Sequence, residues 1–274
     1  MPELPEVETI ARGLVPLICG SSIQNVDLVQ PGCVQGDVQA FVQGLTGAGI
    51  DNVRRRGKLL IMDLSSGLLL VGHFKMTGKF LFYPPGHSVQ TSHTRCILHL
   101  DSDCTLVFED QRKFGYLRLM TQEEMETWPF YAHLGPEPLD ISAHDFGHRL
   151  RTRHAAIKSL LLNQTCIAGI GNIYADESLY LAGIHPQTPA DTLSSERLKK
   201  LHASLQQVLT TALQAGGSSF RDYVDGLGRP GSYQDTFMVY GRGGKTCPHC
   251  QTDLETARVA GRTSVFCPCC QPKP

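Results

Sequence analysis

The chain has 274 residues, 41% of them hydrophobic and 19% charged, enough for one large globular domain or two of ordinary size. A formal net charge of -1 argues against a protein that coats nucleic acid by bulk charge, while leaving room for a local basic surface. No apolar run is long enough to span a bilayer, and the first apolar segment is broken by Arg12 and Pro16 and preceded by glutamates, so a cytoplasmic protein is expected, with no signal peptide and no membrane partner.

The first stretch, PELPEVET from Pro2, carries chemistry. Trimming of an initiator methionine before Pro2 would leave a secondary amine, and a chain-terminal amine has a pKa of roughly 7.7 to 8.0 against about 10.4 for lysine. Such an amine is a candidate nucleophile toward a carbonyl, giving a Schiff base. Glu3 stands beside it as a candidate general acid or base. Pro5, with Val7, Ile10, Ala11 and Leu14 at helical spacing and Glu6 and Glu8 near the positive end of the dipole, predicts a helix that would hold the terminus still.

From about Ile23 to Met120, short apolar runs separated by turn signals predict an antiparallel β-sandwich. The clearest strands are Leu59 to Leu64, Leu68 to Val71, Phe80 to Tyr83, Cys96 to Leu100, Leu106 to Phe108 and Tyr116 to Leu119. Arg54, Arg55, Arg56 and Lys58 form one basic cluster, Lys75 and Lys79 a second, and Arg112 with Lys113 a third. Runs of this kind are most often solvated faces.

The proline-rich segment 134–140 marks a boundary, giving an α+β chain of two domains, the first spanning residues 1–133. Helices are then expected from Ser142 to about Arg153, Ala155 to Leu162 and Ala175 to Leu181. A longer one from Ser194 carries Leu198, Leu201, Leu205, Val208, Leu209 and Ala212 on one stripe and stops at Gly216-Gly217. Between the second and third lies AGIGNIY from Ala168, a glycine turn entering a helix N-terminus. It suits either phosphate or close helix packing. Residues 216–233 are polar, glycine-rich and long for a connector, hence a functional loop or a disordered one.

Five of the ten cysteines crowd the last thirty residues. Cys247 and Cys250, then sixteen residues, then Cys267 and Cys270 have the spacing of a four-thiolate ribbon binding one structural Zn2+. Cys269 and His249 lie inside the knuckles and are read as bystanders. Arg258 and Arg262 fall in the hairpin between the knuckles, suited to clamp phosphate.

Taken together, PELPEVET, RRRGK ending at Lys58, HFKMTG from His73, AGIGNIYADE and the terminal FCPCCQ resemble the bacterial formamidopyrimidine-DNA glycosylases. DQRKFG from Asp110 and VYGR from Val239 extend the resemblance, which spans essentially the whole chain. It implies a helix-two-turn-helix domain over 134–240 and a zinc ribbon over 241–274. It further implies a monomeric, nucleoid-associated enzyme that excises 8-oxoguanine and formamidopyrimidines from duplex DNA and nicks the strand by β,δ-elimination at the resulting abasic site.

By the same resemblance Pro2 is the nucleophile, Glu3 the proton shuttle and Lys58 an essential lysine near the lesion. Met76, Arg112 and Phe114 match an intercalating trio, with Arg112 reading the orphaned cytosine. His73, Lys158, Asn172 and Arg262 fall on flanking phosphates and Tyr240 near the same backbone. Glu6 supports the binding pocket or the first helix, and the 216–233 segment matches a loop closing over the everted base, with Ser218, Ser219 and Arg221 as contacts. Asn163 stands where many relatives carry aspartate, and Cys269 makes the last knuckle CPCC. The alternatives are an endonuclease VIII-like enzyme for oxidised pyrimidines and a non-catalytic zinc-ribbon DNA-binding protein. The PELPE start and the trio favour the purine enzyme.

Overall fold

A computed structural model describes residues 1–87, 91–101, 103–220 and 222–273. The chain divides into two compact units, Met1–Ala132 with Ala215–Ser232, and His133–Gln214 with Tyr233–Pro274.

In the first unit, helix α1 (Leu4–Ile18) buries Val7, Ile10, Ala11, Leu14 and Ile18, the face its periodicity predicts. Each fully buried leucine or isoleucine contributes about 1.5–3 kcal/mol relative to leaving it in water. There follow β1 (Ile23–Asp27), α2 (Val38–Leu45), β2 (Ile50–Arg56), β3 (Leu59–Leu64), β4 (Leu68–His73), β5 (Gly78–Tyr83), β6 (Thr94–Leu100), β7 (Thr105–Asp110), β8 (Tyr116–Thr121), α3 (Gln122–Thr127) and α4 (Pro129–Ala132). The strands form two antiparallel sheets, ordered β1-β6-β7-β5 and β2-β3-β4-β8. Leu60, Met62 and Leu117 from one sheet and Phe80, Leu98 and Phe108 from the other share a core with the α1 face, which is the expected sandwich.

Residues 215–232 belong to this unit although the chain on either side of them belongs to the other. The loop closes through the Ser232 N–H on the Ala215 carbonyl (3.0 Å) and joins β5 through the Phe82 N–H on the Gly226 carbonyl (2.7 Å), with Tyr223 reaching the sandwich core. Gly231 is obligatory here, because a Cβ would lie 2.3 Å from the Gly217 carbonyl oxygen.

The second unit carries α5 (Ala143–Arg151), α6 (Ile157–Leu162), α7 (Asn172–Ala182), α8 (Ser195–Gln214), β9 (Glu255–Val259) and β10 (Arg262–Phe266). Ser142 caps α5, its hydroxyl accepting the Asp145 N–H (3.1 Å). The α8 stripe read from the sequence is buried at every named position. The glycine turn before α7 is threaded by Gln164, whose amide accepts the Gly169 N–H (2.9 Å) and donates to the Ile170 carbonyl (2.8 Å). Among the described residues no helix is long and apolar enough to cross a membrane.

Candidate active site

Pro2 is buried at the mouth of α1. Glu3 is the N-cap residue and is 3% exposed. Its N–H donates to Glu6 Oε2 (2.8 Å), the reciprocal half of a capping box that fixes the terminus against the first helical turn. Glu6 is itself 2% exposed, and its other oxygen accepts the Ser218 N–H (2.8 Å). The residue beside the candidate nucleophile and the 215–232 loop therefore share one carboxylate. Gly217 makes this approach possible, since a Cβ there would sit 3.0 Å from Glu6 Oε1 on a backbone with φ of +82°. The Ser218 hydroxyl is buried without a protein partner. Ser219 serves the loop internally, its hydroxyl donating to the Tyr223 carbonyl (2.7 Å) and accepting the Gly231 N–H (2.9 Å). Arg221 lies outside the described residues.

Lys58 sits in the two-residue turn between β2 and β3, closed by the Arg56–Leu59 pair, and is 6% exposed. Leu59 pairs with His73 at the end of β4. His73 Nδ1 accepts the Lys75 N–H (3.0 Å), which leaves the ring proton on Nε2. Burial first, then the charges of Lys75 and Lys58, push its pKa from 6.5 down to about 3. It is a neutral donor at physiological pH. The basic run before Lys58 is not the open patch its composition suggests. Arg54 grips Asp63 through Nε and Nη2, and Arg55 donates to Glu8 (2.8 Å), while Lys79 pairs with Glu109 (3.3 Å).

Met76 lies on the turn between β4 and β5, and Arg112 and Phe114 on the turn between β7 and β8. The Arg112 N–H donates to Thr77 Oγ1 (3.0 Å), which links the two turns. Phe114 is 54% exposed, with the Arg112 guanidinium 5.0 Å from its ring centre. An aromatic ring so exposed, with a cation over its face, is more suited to inserting into a stack than to filling a core.

In the second unit, Lys158 is not where a phosphate contact needs it. It is 0% exposed, its ammonium 2.6 Å from Asp176 and donating to Ser264 Oγ (2.7 Å) and the Thr263 carbonyl (3.2 Å). Burial drives the Asp176 carboxyl upward in pKa against the opposing pull of that ammonium. The sequence named Lys158 but gave no sign of Asp176, its partner across α6 and α7. Asn172, the first residue of α7, donates to the same Thr263 carbonyl (3.0 Å). Two side chains thus fix the backbone next to Arg262, which is exposed at the start of β10 beyond a turn with Ala260 and Gly261 at positive φ. Tyr240 is half-buried, and its N–H, with those of Met238 and Val239, converges on the Glu177 carboxylate (2.8–3.0 Å). Glu177 was likewise silent in the sequence, because its partners lie some sixty positions away.

Cys247, Cys250, Cys267 and Cys270 bring their sulfurs within 4.8 Å of one another. The separations of 3.9 Å for Cys247–Cys270 and 3.4 Å for Cys250–Cys267 suit four thiolates around a tetrahedral Zn2+ with Zn–S distances of about 2.3 Å. The Tyr180 hydroxyl lies 3.3 Å from Cys247 Sγ, an outer hydrogen bond of the kind that orients a ligand. Cys269 and His249 are exposed and stay out of the cluster. With all four tetrahedral positions filled by these thiolates and none left for water or substrate, the site suits a structural zinc.

An antiparallel sandwich led by a buried Pro2-Glu3 terminus, a helical unit and a four-cysteine ribbon are the parts of the chain, and each is matched by a known family. The model of the formamidopyrimidine-DNA glycosylase N-terminal domain matches residues 1–117, that of its H2TH domain 134–224, and that of the zinc finger found in FPG and IleRS 244–273. The formamidopyrimidine-DNA glycosylase of Desulfitobacterium hafniense is 44% identical over 99% of this chain and 100% of its own length, and that of Chloroflexus aggregans 44% over 99% and 98%. Among solved structures, Lactococcus lactis Fpg bound to DNA containing an abasic site superposes with a TM-score of 0.92 at 34% identity, covering 99% of this chain and 100% of that one. MutM in complex with carbocyclic 8-oxo-G DNA gives 0.92 at 35% with the same coverage. The chain belongs to the formamidopyrimidine-DNA glycosylase family, DNA glycosylases of base-excision repair.

Proposed function

We propose that this glycosylase removes oxidised purines, 8-oxoguanine and formamidopyrimidines, from duplex DNA and then cleaves the strand as an abasic-site lyase. The observation that carries this reading is the Glu6 carboxylate, which holds the Glu3 N–H with one oxygen and the Ser218 N–H with the other. Nucleophile, proton shuttle and base-covering loop are thereby set from one point. The Lactococcus enzyme's complexes with Fapy-dG and abasic-site DNA, and the MutM complex with 8-oxo-G DNA, support the same substrate class.

A stacked nucleotide cannot present its sugar to Pro2, so it is everted at a cost of a few kcal/mol. With Met1 removed, the Pro2 nitrogen attacks C1′ and the base departs, with Glu3 protonating the ribose ring oxygen as the ring opens. The resulting iminium acidifies the C2′ proton. Its removal expels the 3′-phosphate, and a second elimination expels the 5′-phosphate. Lys58, and His73 through its Nε2–H, flank this chemistry, while Phe114, Met76 and Arg112 refill the vacated stack. Catalysis resides in 1–133 together with the 215–232 loop. Residues 134–240 grip backbone through Asn172 and Tyr240, and the ribbon, 241–274, through Arg262, with Lys158 acting from inside the protein. The enzyme works as a monomer in the bacterial cytoplasm, at the nucleoid.

A panel of lesion duplexes tests the reading. Strands carrying 8-oxoguanine or formamidopyrimidine opposite cytosine are cut at least tenfold faster than strands carrying oxidised pyrimidines, and leave phosphates on both sides of the gap. Faster cutting at oxidised pyrimidines, or release of base with the strand intact, contradicts it.

A further inference from the structure

Asp110 closes β7 at the head of DQRKFG and is 1% exposed, although nothing so far gives it a task. Its Oδ1 accepts the Thr77 hydroxyl and the Arg112 N–H (3.2 Å), and its Oδ2 accepts the Gly115 N–H (2.7 Å). The same Arg112 N–H also donates to Thr77 Oγ1 (3.0 Å). One carboxylate therefore brackets the segment Arg112–Gly115 at both ends and ties it to the residue after Met76.

The surroundings leave little room for any other arrangement. The Asp110 N–H is fixed to the His93 carbonyl (2.9 Å), and its own carbonyl accepts Arg95 Nε (2.8 Å) from a guanidinium that is itself buried. A Cβ at Gly115 would meet Asp110 Oδ2 at 3.1 Å, Phe108 at 3.0 Å and the His73 carbonyl oxygen at 3.2 Å. A Cβ at Gly78 would lie 2.7 Å from the Phe74 carbonyl oxygen, so the Met76 turn also needs its glycine. Between the two bracketing amides the chain passes through Lys113 at φ of +59°, a left-handed conformation uncommon for a lysine. Ionised hydrogen bonds of this kind are roughly twice as strong as neutral ones, so the bracket suits a turn that must keep its shape while Phe114 and Arg112 stand in solvent.

We propose that Asp110 is the positioning residue that locks the Met76 turn and the Arg112–Phe114 turn into one rigid wedge, and that opposite-base discrimination depends on it. This rests on the reading in which Arg112 faces the orphaned base. Asp110 touches no substrate. It acts by setting where the Arg112 backbone starts and where the Phe114 turn ends.

The test uses the full-length protein with the near-isosteric Asp110→Asn, which keeps the side chain's shape but replaces one acceptor oxygen with a donor, and with Thr77→Val and Thr77→Ser on the more exposed side of the network. Excision of 8-oxoguanine is measured opposite cytosine and opposite adenine, alongside cleavage of a single-stranded abasic oligonucleotide, which has no orphaned base. Asp110→Asn is expected to lower duplex excision at least tenfold more than single-strand cleavage and to flatten the cytosine preference at least tenfold. Thr77→Val gives a smaller flattening, and Thr77→Ser restores the preference. Equal losses on both substrates, or an unchanged cytosine preference in Asp110→Asn, overturn the proposal. Arg112→Ala separates the two levels. If it leaves the preference intact, the reading of Arg112 fails, whereas if it flattens the preference and Asp110→Asn does not, the positioning role alone fails.

Discussion

The sandwich of the first unit and the ribbon of the second hold the exposed candidate DNA-contacting side chains by different physical means. Phe114 and Arg112 stand on turns above a core built from α1 and both sheets, so large-scale apolar burial supplies the stability and buried carboxylates set only the local shape. Around the ribbon, the cluster is Tyr180, Val239, Cys247, Leu254, Val265 and Cys267, two of which are metal ligands. A module that small cannot hold Arg262 by apolar burial alone, and it relies on thiolates and a buried ion pair. The difference teaches where each unit is fragile. The fold of the first unit is expected to survive loss of one polar contact, even where a turn's shape depends on it, while the second hangs on a few.

The largest test of that contrast is metal removal. Structural zinc contributes on the order of 10 kcal/mol to the folding of small zinc modules, so chelation is expected to raise hydrogen exchange across 246–271 and lower DNA affinity, while β3, β4 and β7 stay protected. Equal loss of protection in both units, or unchanged affinity, breaks the comparison. Next comes the buried pair. Lys158→Met leaves Asp176 uncompensated and should cost about 3–5 kcal/mol in denaturant unfolding of the second unit, whereas Lys158→Met with Asp176→Leu should recover most of it. If the double variant is no better than the single, the pair's cost of burial has been misjudged.

A smaller effect sharpens the picture of the first unit. His73 has a folded pKa depressed to about 3, so between that value and about 6.5 the unfolded chain binds more protons than the folded one. Stability from this residue is complete above about pH 6.5 and falls as pH drops toward 3. Replacing His73 with Phe should flatten part of the acid limb of a stability–pH curve. An unaltered slope would mean that His73 is not held neutral by burial.

Much of this was legible in the sequence where the determinants are local. The α8 stripe, the α1 face, six of the strands and the cysteine spacing each report contacts made within one element or one hairpin. Helix α2 has a local signal, since Asp37 precedes Val38, Phe41, Val42 and Leu45 and accepts the Ala40 N–H (2.7 Å), but its stripe is short and falls within the expected β region. Strand β2 was hidden by its arginines, whose partners Asp63 and Glu8 are set by sheet register and helix docking. The resemblance puts Lys158 on a phosphate, and its burial is not legible because Asp176 and Ser264 become its neighbours only in three dimensions. The attachment of 215–232 to the first unit was invisible for the same reason, depending on Glu6 more than two hundred positions away.

The central claim is that the residue held by α1, and not the lysine at the β2–β3 turn, bonds to the sugar. Borohydride reduction of the enzyme on an 8-oxoguanine duplex, followed by proteolysis and mass spectrometry, tests it directly. The account predicts a covalent deoxyribose adduct on the peptide beginning at Pro2, formed equally on abasic DNA. An adduct mapped to Lys58, or no trapped complex on either duplex, would contradict it.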